Sequence, residues 1–374
     1  MKLALFGAFD PEYPRTAVLL EALTARGVEV VRVAARQGSA PVAREIQLFT
    51  RWAARARGLR TILVPAFGHR DVPLASLLGR RTGVPVLFDP LVSRWDTQVT
   101  DLGRVRPGSL AAARLRLSDR LALSLADLVL CDTWEQGDFY SARYGVPRPR
   151  LARIPVGADA ETFRAGAARN PARPRGPAEI VYVGGYLPLH GMPTVVDAMS
   201  ILEERHGTRL ARFTLVGGGM LRPYVEREVA ARGLRSVRLL PRVAYREAVR
   251  QMSEADIALG VFGTTEKAAR VVPHKVWQAL ALGLPVVTRR SAAVSEFFRD
   301  GVHLRCVPPG DGVSLARVLE ELAADPDCRM RLGEAGRSEA ETQGGPRLIG
   351  ALLLEAIERS LELTAPRPGR GRRG

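Results

Sequence analysis

A lysine at the start of a predicted helix is the residue best placed to act on an anion. In residues 272–287, VPHKVWQALALGLPVV, Pro273 suits the first turn of a helix, and Gly283 ends that helix before a buried strand. Lys275 lies two residues inside the start, where backbone N–H groups already favour negative charge. This spacing predicts a diphosphate site at Lys275. The alternative is a solvated lysine on an ordinary helix that begins with proline.

Two glycine-rich loops follow predicted strands and could approach a phosphate closely. They lie in residues 183–199, which begin VGGYLPLHG, and in residues 215–220, LVGGGM. Glycine permits a positive φ and a close approach of the backbone to a ligand. The residues of interest in these loops are Gly184, Gly185, His190, Gly191, Gly217 and Gly219. Tight turns between strand and helix are the alternative. No G-x-G-x-x-G pattern follows a strand, which argues against a dehydrogenase.

Short apolar runs alternate with helical patterns along most of the chain. Strands are predicted at 2–7, 28–33, 61–65, 84–89, 128–132, 180–184, 212–217, 237–240, 256–261, 285–288 and 304–307. Helices are predicted at 16–26, 71–82, 109–126, 192–206, 221–232, 244–253, 273–283, 313–323 and, almost without interruption, 328–363. This alternation is typical of doubly wound parallel sheets. The predicted fold class is therefore α/β, with two Rossmann-like domains facing across a cleft.

A segment rich in Pro, Gly, Ala and Arg separates the two halves. The predicted divisions are a first domain at 1–157, a linker at 158–178, a second domain at 179–345, a C-terminal helix at 346–364 that crosses back to the first domain, and a disordered basic tail at 365–374. Ligands of such sheets bind beyond the carboxyl ends of the strands. The cleft between the domains is therefore the expected site.

Composition limits the classes of partner and the compartment. The 55 Lys and Arg against 39 Asp and Glu give a net charge of +16, yet the arginines are dispersed and only 6% of residues are aromatic. No zinc or helix-turn-helix pattern occurs, so we expect no nucleic-acid partner. The sequence predicts a cytoplasmic protein for three reasons. Its three cysteines have no metal-type spacing, an acidic residue follows soon after the first apolar run, and no run of about 20 apolar residues occurs.

The segment that contains Lys275 resembles the donor-binding core of group 1 (family 4) retaining glycosyltransferases. The match is close from Ala279 to Val287, but the two glutamates of the family, eight positions apart, fall on Arg270 and Gln278. Pro273 with Lys275 resembles a variant branch that has Pro-x-Lys before the helix. The resemblance implies the GT-B fold and transfer of a sugar, with retention, from a nucleoside-diphosphate (NDP) sugar. It also implies no cofactor beyond a UDP- or GDP-sugar and no divalent metal.

The same resemblance assigns roles to the glycine loops and to the predicted catalytic residues. Relatives carry an arginine and a lysine at the positions of Gly185 and His190, so two cations are lost. We expect Arg270 and Lys275 to supply the missing charge. An amide at Gln278 can still bond ribose hydroxyls. Glu296, after the donor strand, could face the nucleotide, although a surface position is the alternative.

In the first half, the resemblance places the loop after strand one against the donor phosphates, which makes Gly7 and Arg15 candidate phosphate contacts. His69 and Asp89 lie where strands would open onto the cleft, and Asp89 lies near the place where relatives have a sugar-binding histidine. These two complete the predicted catalytic set with Arg270 and Lys275. A helix cap or loop residue is the alternative for His69 and for Asp89.

Further alternatives concern the acceptor, the membrane and the reaction. The acceptor could be lipid-linked, a polysaccharide or a small molecule. Residues 110–125 could form a basic amphipathic helix on the anionic inner face of a membrane, or a packed helix with a solvated arginine face. Asp325–Pro326–Asp327 is predicted to be a helix cap, not a metal site. A nucleotide-sugar epimerase and a catalytically silent binding homologue are the alternatives to a transferase.

Overall fold

The computed structural model describes residues 1–167 and 176–364. The first domain is built on a six-stranded parallel sheet in the order β2-β1-β3-β4-β5-β6. Its strands are β1 (Lys2–Gly7), β2 (Glu29–Ala34), β3 (Leu59–Val64), β4 (Val86–Phe88), β5 (Leu128–Cys131) and β6 (Leu151–Arg153). Its helices are α1 (Pro14–Ala25), α2 (Pro41–Arg55), α3 (Val72–Thr82), a π-helical segment (Asp96–Asp101), α4 (Leu110–Leu125) and α5 (Trp134–Tyr144).

The second domain repeats this architecture with a sheet in the order β12-β11-β10-β7-β8-β9. The short helix α6 (Ala160–Ala167) comes before its strands β7 (Ala178–Gly185), β8 (Ala211–Gly218), β9 (Val237–Leu240), β10 (Ile257–Leu259), β11 (Val286–Arg289) and β12 (Arg305–Val307). Its helices are α7 (Met192–His206), α8 (Arg222–Ala231), α9 (Tyr245–Ser253), α10 (Glu266–Arg270), α11 (His274–Ala281), α12 (Ala292–Ser295), α13 (Gly312–Ala324), α14 (Pro326–Gly344) and α15 (Pro346–Thr364).

Apolar strands buried on both faces explain why the first sheet is covered by helices. Leu3 and Leu5 of β1 pack in one cluster with α1 and α15, whereas Ala4 and Phe6 pack in a second cluster on the opposite face. Successive side chains of a strand point to opposite faces, so a run with no polar residue must be buried on both sides. This arrangement aligns the carboxyl ends of the strands at one edge of each sheet.

The long C-terminal helical segment contains a break and returns to the first domain. The pattern at 328–363 predicted nearly continuous helix, but α14 ends before Gly345, which is extended, and Pro346 begins α15. Proline lacks an N–H and suits the first turn of a new helix. The α15 helix then packs on α1, and Arg359 donates to the carbonyl of Pro149 at 3.1 Å.

Several elements were not predicted. The sequence patterns missed β6, α2, the π-helical segment, α5, α6, α10 and α12. Most of these elements are short or polar and offer little apolar periodicity. The α2 helix does carry apolar residues at helical spacing, including the buried Leu48 and Trp52, and the prediction overlooked it. Part of the predicted linker and the whole tail at 365–374 lie outside the described residues. No helix within the described ranges is both long and apolar enough to cross a membrane.

Candidate anion-binding site

The start of α11 holds a lysine that is buried without a counter-charge. The ammonium of Lys275 lies 3.8 Å from the centroid of the Tyr182 ring, which it contacts through a cation–π interaction. Its Nζ atom has no hydrogen-bond partner among the described residues. Burial lowers the pKa of Lys275 well below the usual value for lysine. An anion that reached this nitrogen would restore its charge and supply the missing bonds.

The glycine loop after β7 is shaped around this lysine. Gly184 has φ 145°, and a Cβ atom added there would lie 2.6 Å from Lys275 Nζ. A Cβ on Gly217 would lie 1.9 Å from the carbonyl oxygen of Gly184, and Gly219 also has a positive φ, 138°. Only glycine fits such a backbone without strain and such a close approach. The two predicted loops therefore meet beside Lys275.

His190 closes the loop but carries no charge there. Its Nδ1 atom bonds the carbonyl of Gly185, which also accepts from the Tyr182 hydroxyl at 2.5 Å. Burial, aided by the charge of Lys275, lowers the pKa of His190 well below its ordinary value, so the ring is neutral near pH 7. His190 is thus a structural residue and does not replace a lost cation. Gly191, with φ 66°, packs directly against the backbone of Phe262.

Arg270 bonds a residue of the first domain. Its Nη2 donates to the carboxylate of Asp96 at 2.7 Å, and its guanidinium stacks 4.1 Å from the centroid of the Phe139 ring. Both partners belong to the first domain. Because Asp96 is an anion, it largely compensates the charge of Arg270. The expectation that Arg270 shares the phosphate charge with Lys275 finds no support in this arrangement.

A polar seam joins the two domains around Arg270. Lys267 of α10 donates to Thr97 at 2.8 Å and lies 3.6 Å from the carboxylate of Asp101. Glu296 accepts from the backbone N–H groups of Trp134 and Glu135 at 2.8 and 3.0 Å. Its carboxylate therefore caps the start of α5, where the helix dipole favours negative charge. The predicted contact of Glu296 with the nucleotide is replaced by this interdomain contact.

Arg15 and Asp89 form a buried ion pair with each other. Arg15 Nε lies 2.9 Å from Asp89 Oδ2, and its other nitrogens donate to the carbonyls of Ile154 and Pro155 at 3.1 and 2.6 Å. Both side chains are inaccessible to solvent. In this structure both side chains are occupied by protein partners, and the predicted phosphate role of Arg15 and sugar role of Asp89 stay predictions. The pair instead ties α1 to the ends of β4 and β6.

The loop after β1 holds a carboxylate where a phosphate was expected. A Cβ on Gly7 would lie 2.5 Å from Asp71 Oδ2, and the same carboxylate accepts from the N–H of Ala8 at 3.1 Å. Asp71 pairs in turn with Arg44. A carboxylate fixed beside Gly7 disfavours a second anion there, and the predicted phosphate contact at Gly7 stays a prediction.

His69 is buried inside the first domain. Its ring packs edge-on against Phe88, and its Nε2 lies 3.5 Å from the Asp119 carboxylate. Burial lowers the pKa of His69 to about 4, so the ring is neutral at physiological pH. Asp119 also accepts from the Ser93 hydroxyl at 2.7 Å, which fixes the loop after β4. These contacts match the alternative of a core histidine, and the predicted catalytic role of His69 stays a prediction.

Gln278 faces a polar cluster near the start of the second domain. Its side chain lies near the hydroxyl of Tyr245, which contacts the Thr162 hydroxyl at 3.1 Å. The predicted bond from this amide to a ribose stays a prediction.

The Asp325 side chain accepts from Cys328 N at 2.8 Å, which confirms the predicted cap of α14.

Three residues that the sequence patterns missed surround the cleft. His274 is buried with neither ring nitrogen bonded among the described residues, and burial lowers its pKa to about 3. Tyr13 packs on that ring at 6.1 Å between centroids. Asp132, at the end of β5, has its pKa raised to about 7 by burial. Asp132 directly follows the strand LVLC, just as Asp89 follows its strand, so the same sequence pattern could have identified it.

Comparison with known proteins finds a sequence family that the second domain resembles. Residues 177–325 match the family model described as glycosyl transferases group 1. The predicted resemblance is confirmed for these residues. The match covers less than half of the chain, and it includes the Lys275 helix and both glycine loops.

Curated relatives extend the similarity into the first domain. The chain is 28% identical over 292 residues to a D-inositol 3-phosphate glycosyltransferase of Nocardiopsis dassonvillei, covering 73% of this chain and 65% of that protein. It is 25% identical over 266 residues to an alpha-D-kanosaminyltransferase of Streptomyces kanamyceticus, covering 69% of this chain and 66% of the relative. The chain thus spans slightly less than two thirds of each relative's length.

Solved structures confirm the fold class. Anabaena HepE in complex with UDP-glucose superposes with a TM-score of 0.69 at 14% identity, covering 96% of this chain and 99% of that one. Sucrose-phosphate synthase from Thermosynechococcus elongatus gives 0.69 at 17% identity, covering 98% and 100%. The predicted GT-B arrangement of two Rossmann-like domains is therefore confirmed.

The Arg15–Asp89 pair yields a direct test of its structural role. We expect Arg15→Met to destabilise the protein by about 3–5 kcal/mol, because it leaves the Asp89 carboxylate buried and unpaired. Arg15→Met combined with Asp89→Leu should recover most of that loss. Chemical denaturation of both variants measures the effect. A single variant that kept its stability but lost affinity for NDP-sugar would restore the phosphate role.

Proposed function

We propose that this chain is a glycosyltransferase that takes a sugar from an NDP-sugar held by the second domain. In the transfer, the bond between the anomeric carbon and the diphosphate oxygen breaks, and the diphosphate keeps the electron pair. A hydroxyl oxygen of the acceptor bonds the same carbon, and its proton passes to the departing diphosphate. The charge that develops on the leaving group is the feature that the protein must stabilise.

The start of α11 is the observation that carries this proposal. Lys275 and His274 bring three buried nitrogen atoms without described partners to a helix start, beside a glycine loop that admits no side chain at Gly184. Buried polar groups are nearly always bonded, so such a cluster indicates a polar ligand. The Lys275 ammonium is enclosed by Tyr182, so engaging a diphosphate requires the side chain to rotate toward the cleft.

The relatives support finer parts of the proposal. Their names describe glycosyltransferases, and the HepE structures contain UDP or UDP-glucose. We therefore propose a UDP-sugar as the first donor to test, with a GDP-sugar as the second. Retention follows from the resemblance to group 1 enzymes. We propose that no divalent metal is needed, because Lys275 and the helix N–H groups supply the positive charge.

The first domain is the proposed acceptor side and membrane-facing side. The α4 helix exposes Leu117 and Leu121, at 55% and 44% of their surface, and carries the exposed arginines Arg114, Arg116 and Arg120. An apolar and cationic surface of this kind suits contact with an anionic bilayer. This exposure favours the amphipathic interpretation of residues 110–125 over a fully packed helix.

A donor panel tests the proposed function. UDP-, GDP-, TDP- and ADP-sugars are compared by thermal shift, and the bound sugar is then assayed for NDP release with and without acceptors, in EDTA and in magnesium. We expect one donor class to raise the melting temperature and acceptor-dependent NDP release to survive EDTA. Acceptor-independent conversion would indicate an epimerase, and binding without any turnover a silent homologue. No response to any nucleotide sugar would contradict the proposal.

Two lysines of similar burial should respond in opposite directions to the same substitution. Lys275 is unpaired, whereas Lys267 contacts Asp101 and Thr97. Lys275→Met removes a buried uncompensated ammonium, so we expect a gain of about 1–3 kcal/mol in stability and loss of donor binding. Lys267→Met leaves Asp101 unpaired and should destabilise the protein by a similar amount. Thermal melts with and without the UDP-sugar measure both effects. Loss of stability in Lys275→Met would contradict the account.

A further inference from the structure

A cavity of about 770 Å³ lies in the first domain beyond the carboxyl ends of β3 and β4. The loop after β3 contributes Phe67 and Arg70, and the loop after β4 contributes Val92 and Arg94. The π-helical segment, Val105 and α4 form the remaining wall. This volume is within the range of small-molecule sites. The carboxyl edge of such a sheet is also where ligands of α/β folds bind.

Three guanidinium groups line the cavity with little compensating charge. Arg70 and Arg114 form no ion pair within residues 1–167 and 176–364, and the guanidinium of Arg94 donates to the Ser118 hydroxyl at 2.9 Å. Burial and the nearby charge of Arg70 lower the pKa of Arg94, while Asp119 opposes that effect. The Asp119 carboxylate, which accepts from Ser93, offsets at most one of these three positive charges. The cavity is therefore positively charged, which favours an anionic occupant.

Most of the remaining lining is apolar, although Thr97, Gln98 and Ser118 also contribute. Phe67, Val92, Val105 and Leu115 contribute side chains between and around the arginines. Phe67 is 52% exposed at the mouth of the cavity. A wholly polar ligand such as a free sugar phosphate would leave this apolar surface in contact with polar groups or water. An apolar segment attached to the anion would cover this apolar surface, which stabilises the complex by about 25 cal/mol per Å² of apolar surface buried.

Both loops that frame the cavity are held in an unusual backbone conformation. Phe67 has φ 66° and Leu91 has φ 59°, the described non-glycine residues with positive φ. Each such residue costs on the order of 1–2 kcal/mol, so the surrounding packing must hold it in place. This conformation places Phe67 at the mouth of the cavity, where its ring contacts Tyr13 at 5.1 Å between centroids.

The cavity is connected to the anion-binding site by two ring contacts. Phe67 packs on Tyr13, and Tyr13 packs on His274, which precedes Lys275. On the other side, Thr97 lines the cavity and accepts from Lys267 of the second domain. The cavity therefore lies on the side of the first domain that contacts α10 and the start of α11.

We propose that this cavity binds the acceptor, and that the acceptor carries a phosphate group joined to an apolar chain. The proposal rests on the proposed function and names its substrate class. The phosphate accepts hydrogen bonds from Arg70, Arg94 and Arg114, because a guanidinium group can donate two parallel hydrogen bonds to phosphate oxygens. The apolar chain lies on Phe67, Val92 and Leu115.

A soluble amphiphile with matched arginine variants tests this proposal. Decyl phosphate, below its micellar concentration, is titrated into the full chain by calorimetry, with inorganic phosphate and decyl glucoside as the two partial ligands. The test variant is Arg70→Gln with Arg114→Gln. The control is Arg116→Gln, which lies on the same helix but lines a separate cavity beside Trp95. Val105→Glu is a second test variant that places a carboxylate in the cavity.

We expect decyl phosphate to bind at least about tenfold more tightly than either partial ligand. Losing two charge-assisted contacts should weaken its affinity by about tenfold or more, equivalent to about 1.4 kcal/mol or more. Val105→Glu should weaken it similarly, and Arg116→Gln by less than about twofold. An equal loss in Arg116→Gln would reveal diffuse surface charge and overturn the proposal. Equal affinity for inorganic phosphate would overturn its apolar part.

A UDP-sugar thermal shift on every variant separates the two proposals. A retained shift shows that the variants are folded and that the second domain binds donor. If the shift is present but decyl phosphate does not bind the parent chain, the acceptor class is wrong while the glycosyltransferase proposal stands. If decyl phosphate binds but no nucleotide sugar gives a shift, the proposed function fails independently.

Discussion

One buried ammonium constrains the second domain more than any other described group. The Lys275 side chain lies against the Tyr182 ring and against Gly184, with no carboxylate paired to it. Burying a charge in this way is costly, and the protein reduces the cost by lowering the pKa of the lysine. The positive φ at Gly184 and the bond from His190 to the Gly185 carbonyl both follow from packing the loop around this side chain. This arrangement is unfavourable unless a bound anion offsets the cost of burying the charge.

The other cations near the cleft stabilise the protein itself. Arg15 is bonded to Asp89 and Arg270 to Asp96, so neither offers a free charge to a diphosphate. Lys267 and Glu296 join Arg270 in the seam between the domains. The two halves of the cleft are thus held together by charged contacts of α10 and α12 with the first domain. Electrostatic stabilisation of a leaving diphosphate would fall mainly on Lys275 and on the helix start.

The sequence predicted the layers of the fold because these depend on local pattern. Apolar runs such as 2–7 and 180–184 specify strands buried on both faces, and Pro273 with Gly283 delimits the helix that carries Lys275. The partners of the charged residues could not be predicted. Arg15 and Asp89 are 74 positions apart in the sequence. An aspartate at the end of a strand gives the same sequence pattern whether its carboxylate contacts a ligand or pairs with an arginine. The pairing depends on packing that only the folded chain reveals.

The central claim is that burial disfavours the charged form of Lys275 and that a bound diphosphate restores it. The direct measurement is calorimetry of UDP-sugar binding near neutral to mildly alkaline pH, in two buffers with different ionisation enthalpies. A UDP-sugar diphosphate has no group that titrates there, so proton uptake reports on the protein. Because an anion raises the lowered pKa of Lys275, binding should take up as much as one proton, and affinity should fall as pH rises. Lys275→Met should abolish the uptake. Donor binding without proton uptake, or with the same uptake in Lys275→Met, would contradict the account.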